Sequence, residues 1–410
     1  MNVDFQRAVD RFVGAPSCRV LSLFPRARDR AEGAPPPRKI LVILLSEMGS
    51  LVLAQPMLSR LRATYPEASL HALVFQKNRE VLELLEALPE DNILTLRDAT
   101  LGALASDAVA ALRTLRRLRI DAVVDCELFA RLSALLSFLS GARIRVGFER
   151  HTQEGLYRGS FINRPVLYNP YQHIAHQFVT LADAIDGRGS PTVKRPVPRE
   201  APVLPRMVLR DGELETMKAR LEADFPEAKS KRLILVYAGG GLLPIRAWPQ
   251  ASFEELVAGL VAEDYAVGII GLDGDRARAR AIQAHIESEL CLDMTGYTAT
   301  VRELMVIFHL AELLVTNDGG PGHFAAMTPI SSIIFFGPET PVLYGSLGPR
   351  AFHFYQGLSC SPCLTAYNHR NSPCDGDNQC LKTIPAPDVL AKARELLAQR
   401  GGQGAVRAGS

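Results

Sequence analysis

The chain has 410 residues, 47% apolar and 22% charged, with a formal net charge of +2. That length allows two domains with separate cores, and the near-neutral balance argues against a dedicated nucleic-acid binder. The longest apolar stretches, such as 40–45, are strand-sized and far short of a membrane span, and no secretory signal is evident, so a reducing cytoplasmic compartment is expected.

Residues 1–38 read as an extension. Phe5, Val9, Phe12 and Val13 share one helical face, with Arg7 and Arg11 off it. Arg19, Arg26, Arg28, Arg30, Arg38 and Lys39 carry the basic bias past Pro35-Pro36-Pro37. Two readings stand: a helix packed on the body with a Pro-rich linker, or an amphipathic segment resting on an anionic membrane.

The first domain then alternates strands and helices. Strands are expected at 39–45, 69–75, 92–96, 121–125 and 143–148, and helices at 51–65, 81–88, 103–118 and 129–140. Residues 149–190 are less regular, with a helix expected at 173–185. Five prolines within 191–205 mark an inter-domain linker. The second domain repeats the pattern: a strand at 232–237 ending in Ala238-Gly239-Gly240-Gly241, a helix at 252–262 with Ser252 and Glu255 as a capping box, and a strand at 266–270. A helix at 276–288, a short strand at 291–294 and a helix capped by Thr300 and Glu303 follow. A last helix is expected at 386–399 and a flexible Gly-rich tail at 400–410. Alternation of this kind implies α/β architecture with parallel, doubly wound sheets, here two Rossmann-like domains with a ligand cleft between them.

The stretch from Glu312 to Pro341 organises the second domain. An apolar run, a turn at Asn317-Asp318-Gly319-Gly320-Pro321-Gly322, a helix opening at His323 and a second apolar run at 333–336 make a compact βαβ unit. Glycines allow close backbone approach, and amides at a helix opening favour an anion such as a diphosphate. Asp318 falls at the carboxyl end of a strand, where open α/β sheets bind ligands; an ordinary tight loop is the competing reading. Neither G-x-G-x-x-G, nor a P-loop, nor a G-x-S-x-G elbow occurs, which speaks against a dehydrogenase. Asp273-Gly274-Asp275 is an acidic pair with three readings: a metal–diphosphate ligand, a ribose partner, or a chance D-x-D of the kind repeated at Asp375-Gly376-Asp377.

The loop Ser46-Glu47-Met48-Gly49-Ser50 ahead of a helix carrying Pro56, the segment Arg246-Ala247-Trp248-Pro249, and Asp318 to Ala326 followed by Phe336-Gly337-Pro338 occur in this order. Together they resemble the bacterial heptosyltransferase family (glycosyltransferase family 9) over residues 38–385, with the extension outside the pattern. The resemblance implies the GT-B fold, with 39–190 as acceptor domain and 206–385 as donor domain. It also implies inverting transfer of a sugar, often heptose from ADP-heptose, onto a lipopolysaccharide core or related glycan, without a catalytic metal. Arg246 stands where the family usually has a lysine facing the donor diphosphate, as a planar fork in place of a point charge. Gly319, Gly320 and Gly322 match a phosphate-cradling loop with His323 at its helix entrance, and Asp273 matches an acidic position near the donor ribose. At Gly239 and Gly240 only backbone amides can serve, because the hydroxyl residues common in the family are missing. The main departure is Ser50, where well-known members carry the aspartate that acts as general base. Glu47, three residues earlier, is the expected replacement, with a plain helix N-terminal acid as the competing reading. Alternatives from other classes are a GT-B epimerase acting on a sugar nucleotide, and a non-catalytic nucleotide-binding scaffold that has lost its base.

Arg60, Arg62, Lys77, Arg79, Arg113, Arg116, Arg117, Arg143, Arg145 and Arg150 offer a surface for an acidic glycan or glycolipid acceptor, although most read as solvated faces. Cys360, Cys363, Cys374 and Cys380, spaced C-x2-C-x10-C-x5-C with His369 between, leave structural zinc, free thiols and disulfides all open. Cys18, Cys126 and Cys291 read as lone thiols.

Overall fold

The computed structural model describes residues 8–24, 33, 35–45, 47–128, 130–149, 157–189, 191–198, 204–241, 243–366 and 371–407. Phe5, Arg7, Arg26, Arg28, Arg30, Ser46, Arg150, His369, the linker positions 199–203 and the last three residues lie outside the described residues. Two compact units are formed, Met1–Val203 with Ala366–His369 and Leu204–Thr365 with Arg370–Ser410.

The first unit opens with a helical segment that passes through a π-turn at Asp10–Gly14 into α1 (Ala15–Leu21). Then follow β1 (Lys39–Ile43), α2 (Met48–Thr64), β2 (Ser69–Phe75), α3 (Arg79–Leu84), β3 (Ile93–Leu96) and α4 (Leu101–Leu118). β4 (Ala122–Asp125), α5 (Arg131–Leu139), β5 (Ile144–Glu149), β6 (Arg164–Leu167) and α6 (Ile174–Asp183) complete it. The six strands are parallel in the order β3-β2-β1-β4-β5-β6. Ile40, Leu41, Val42 and Ile43 of β1 are all buried, as a central parallel strand covered on both faces requires. Pro56 sits inside α2 without ending it.

The second unit contains α7 (Glu213–Asp224), β7 (Leu233–Tyr237), α8 (Gln250–Ala262), β8 (Ala266–Gly271), α9 (Arg276–Ile286), β9 (Cys291–Thr295) and α10 (Val301–Leu310). β10 (Leu313–Asn317), α11 (Gly320–Ala325), β11 (Ser331–Phe336), α12 (Pro341–Tyr344), β12 (Ala351–Tyr355), α13 (Gln379–Lys382) and α14 (Ala386–Arg407) follow. Its sheet is also all-parallel, in the order β12-β11-β10-β7-β8-β9. Read from β7, this is the same topology as the first sheet. Each sheet therefore reverses direction once, between β1 and β4 and between β7 and β10, and such a switch point leaves a crevice at the carboxyl ends.

Of three local expectations, two are corrected and one is met. α8 starts at Gln250 behind Pro249, with no side-chain cap. Burial of Trp248 fixes the chain entry two residues before Ser252, so the Ser252–Glu255 capping box does not form. At α10 the expected cap is present: Thr300 Oγ1 accepts from Glu303 N at 3.1 Å, and Glu303 Oε2 reaches back to Ala299 N at 2.8 Å. The last helix runs on to Arg407 instead of ending near 399. Val389, Ala393 and Leu397 pack it into the core of the second unit, and the helical hydrogen bonds continue past the glycines.

Candidate active site

The Arg246–Pro249 segment is held by its tryptophan. Trp248 is fully buried, stacked on Phe335 with ring centroids 4.5 Å apart. Its Nε1 donates to Ile384 O at 3.2 Å. Its backbone N donates to Asn317 Oδ1 at 2.9 Å, and Asn317 Nδ2 donates to Gly239 O at 2.9 Å. One buried asparagine at the end of β10 thus ties together both loops that follow β7.

From that frame Arg246, only 11% exposed, meets two carboxylates. Its Nη2 lies 2.6 Å from Glu339 Oε1, and its Nε 3.5 Å from Asp318 Oδ2. Asp318 follows β10, where its backbone N donates to Phe335 O at 3.0 Å. Glu339 follows β11 and is 2% exposed. The guanidinium plane is oriented by acids from two neighbouring strand ends. Sequence reading missed both Asn317 and Glu339. The available signal was Gly337-Pro338-Glu339, an acid just past the carboxyl end of a strand.

The glycines divide into two kinds. Gly319 has φ 167°, extended backbone open to any residue, and a Cβ there would meet nothing closer than Asn317 O at 3.9 Å. Its lack of a side chain leaves open space above the loop. At Gly322 a Cβ would come within 2.8 Å of Ile334 Cδ1, so this glycine seats α11 on β11. His323 is buried within the same short helix. After β7, a Cβ on Gly239 would lie 2.6 Å from Asp275 Oδ1, and one on Gly240 2.8 Å from Pro244 Cα. Burial and the neighbouring Asp275 push the Tyr237 phenol up to about 12, so it stays neutral beneath this loop. Asp273 stands apart at the end of β8, largely exposed, with Oδ1 2.8 Å from Arg276 Nη2.

In the first unit, Glu47 is half-buried and is the N-cap residue of α2, though its side chain makes no capping bond. The chain entering its loop is gripped at Leu45, whose N donates to Glu127 Oε1 at 2.7 Å and whose O accepts from Asn78 Nδ2 at 2.6 Å. Glu127 follows β4, so Glu47 and Glu127 flank the switch point of this sheet. Beside it, Asp125 is fully buried, paired with Arg158 and accepting from Ser133 Oγ at 3.1 Å.

The basic residues proposed as an acceptor surface separate on inspection. Arg145 is 1% exposed; it donates through Nε to Phe161 O and through Nη1 to Ala142 O, both at 2.6 Å, and is a structural arginine. Arg60, Lys77 and Arg79 are paired with Asp183, Asp98 and Glu83. All seven cysteines are free thiols. Among the described residues no group of three or more His, Cys, Asp or Glu is arranged to hold a metal ion. Cys363 Sγ instead lies 3.0 Å from Ser372 Oγ, and burial pushes the Cys380 thiol up to about 11.

Two all-parallel sheets, each with a crevice at its switch point, give the architecture, and comparison with known proteins gives the family. Residues 109–372 match glycosyltransferase family 9 (heptosyltransferase). Lipopolysaccharide heptosyltransferase 2 of Salmonella typhimurium is 26% identical over 371 residues, covering 88% of this chain and 99% of that protein. Lipopolysaccharide heptosyltransferase 3 of Escherichia coli is 23% identical, with 85% and 95% covered. Among solved structures, E. coli ADP-heptose lipopolysaccharide heptosyltransferase II superposes with TM-score 0.68 at 21% identity, covering 88% of this chain and 99% of that one. A family 9 glycosyltransferase from Veillonella parvula gives 0.70 at 17%, covering 88% and 98%. The fold is that of the GT-B heptosyltransferases. The chain belongs to glycosyltransferase family 9, the heptosyltransferases.

Proposed function

We propose that this enzyme transfers a heptose from ADP-heptose to a lipopolysaccharide-core or related glycan acceptor at the cytoplasmic face of the membrane, with inversion. The observation that carries the donor side is the Arg246 guanidinium held between Asp318 and Glu339 at the carboxyl ends of β10 and β11. The donor reading also draws on the relatives, one of which was solved as E. coli heptosyltransferase WaaC with ADP. The acceptor oxygen attacks the anomeric carbon as the bond to the diphosphate breaks, and the leaving group departs with the electron pair. Arg246 and backbone amides of the Gly239–Gly240 and Gly319–Gly320 loops meet the charge that develops there. Glu47 takes the proton of the acceptor hydroxyl. Asp273, exposed at the end of β8, reaches the donor ribose. A single displacement of this kind inverts the anomeric centre.

The test is transfer from ADP-heptose to a heptose-deficient lipopolysaccharide core, followed by product mass and anomeric NMR. Glu47→Gln is expected to bind ADP like the wild type and to transfer roughly 100-fold more slowly or worse. Turnover at the wild-type rate would remove Glu47 as the base. EDTA is expected to leave the rate unchanged.

A further inference from the structure

The N-terminal segment has two faces, and only one is satisfied by the protein. Asp10, Gly14, Cys18 and Ser22 recur at helical spacing on the inner face. Asp10 Oδ2 pairs with Arg131 Nη1 at 2.9 Å, and Asp10 Oδ1 accepts from Arg131 N at 2.8 Å. A Cβ on Gly14 would lie 3.0 Å from Arg131 Cβ, so the helix approaches α5 as closely as glycine permits. Cys18 is fully buried with Ala134, Phe138 and Phe161. Ser22 Oγ lies 2.8 Å from Tyr157 OH and accepts from Ser160 N at 3.0 Å.

The outer face is apolar and exposed: Phe12 at 73%, Val13 at 60%, Val20 at 58%, Leu23 at 75% and Phe24 at 53%. Of twelve exposed large hydrophobic side chains among the described residues, these five fall within thirteen positions, while the rest are spread along the chain. Scattered exposed hydrophobics are ordinary, whereas a contiguous set marks a contact surface. Arg11 and Arg19 are exposed beside it. The sequence from Arg11 to Arg28 holds four arginines and no acidic residue.

We infer that this face seats the protein on an anionic lipid bilayer, with the five side chains entering the headgroup boundary and Arg11 and Arg19 meeting lipid phosphates. The charge selects the occupant. A second copy facing it would set arginines against arginines. The attachment is peripheral, because no helix among the described residues is long and apolar enough to cross a membrane. The rigid inner face fixes the orientation in which the first unit is presented to the surface.

The inference rests on this surface and not on the proposed transfer, and its test needs neither donor nor acceptor. Full-length protein is sedimented at low salt with phosphatidylcholine vesicles, with or without about one-third phosphatidylglycerol. The wild type is expected to pellet with the anionic vesicles alone and to be released by added salt. A Phe12→Ser, Leu23→Ser, Phe24→Ser triple variant is expected to bind at least about 10-fold more weakly with an unchanged melting temperature. Wild-type protein staying in the supernatant with anionic vesicles would overturn the inference, as would a triple variant that pellets equally well. A concentration-dependent dimer abolished by the same substitutions would assign the face to a second copy instead.

Discussion

Arg246 is the side chain whose environment most constrains the chemistry. Two acids orient it, but they also oppose the charge it offers to a diphosphate. Two substitutions separate these effects. Arg246→Ala removes the cation and is expected to weaken ADP binding by about 10- to 100-fold, the scale of one or two charge-assisted hydrogen bonds. Glu339→Gln keeps an acceptor for Nη2 while removing a negative charge, so ADP binding is expected to tighten several-fold. Isothermal titration reads both, and weaker binding by Glu339→Gln would show that the acid is needed for more than orientation. The glycines divide in the same way. Gly322→Ala forces a Cβ to within 2.8 Å of Ile334 Cδ1 and is expected to cost about 1–3 kcal/mol of stability, partly restored by Ile334→Val. Gly319→Ala meets open space on extended backbone and is expected to fold normally, so any loss of ADP affinity there reports ligand approach.

Elements explain why motif residues that look like active-site chemistry include pure scaffolding. Trp248 belongs to the Arg246–Pro249 motif yet is buried against Phe335 and Phe253, with no exposed atom to offer a ligand. Trp248→Ala is expected to cost about 3–5 kcal/mol by cavity formation, read by thermal or denaturant unfolding. In the first unit, β2 carries His71, which burial, with Lys39 adding to it, holds below the usual imidazole range. The folded chain therefore binds that proton less readily than the unfolded chain. The stability this contributes is complete above pH about 6.5 and is lost as pH falls below it. The melting temperature is expected to drop as pH falls below about 6.5, and His71→Gln should flatten part of that drop.

Across the molecule, the sequence disclosed what short-range physics dictates. Buried central strands such as 313–317 announce themselves as apolar runs, and helix faces such as Phe253, Leu256, Val257 and Leu260 by their period. Three elements gave no such signal. β6, Arg-Pro-Val-Leu, is only four residues long and opens on an arginine and a proline; β12 is a half-buried edge strand; and α7 buries only Met217, with Leu214 and Leu221 half-buried. The candidate site was legible where a motif is contiguous, as at Asp318 to His323. It was not legible where a partner lies far along the chain: Glu339 is 93 residues from Arg246, and Asn317 is 69 from Trp248. No local pattern encodes such a pair. The fold does so by repeating one strand order in both sheets and placing loops at the same switch point in each.

The most direct test is calorimetric titration of the purified protein with ADP, UDP, GDP and NAD, with Arg246→Ala as control. Selective binding of ADP that weakens in the control is the expected result. Binding of NAD alone, or ADP binding unchanged by Arg246→Ala, would contradict a heptosyltransferase donor site built around this arginine.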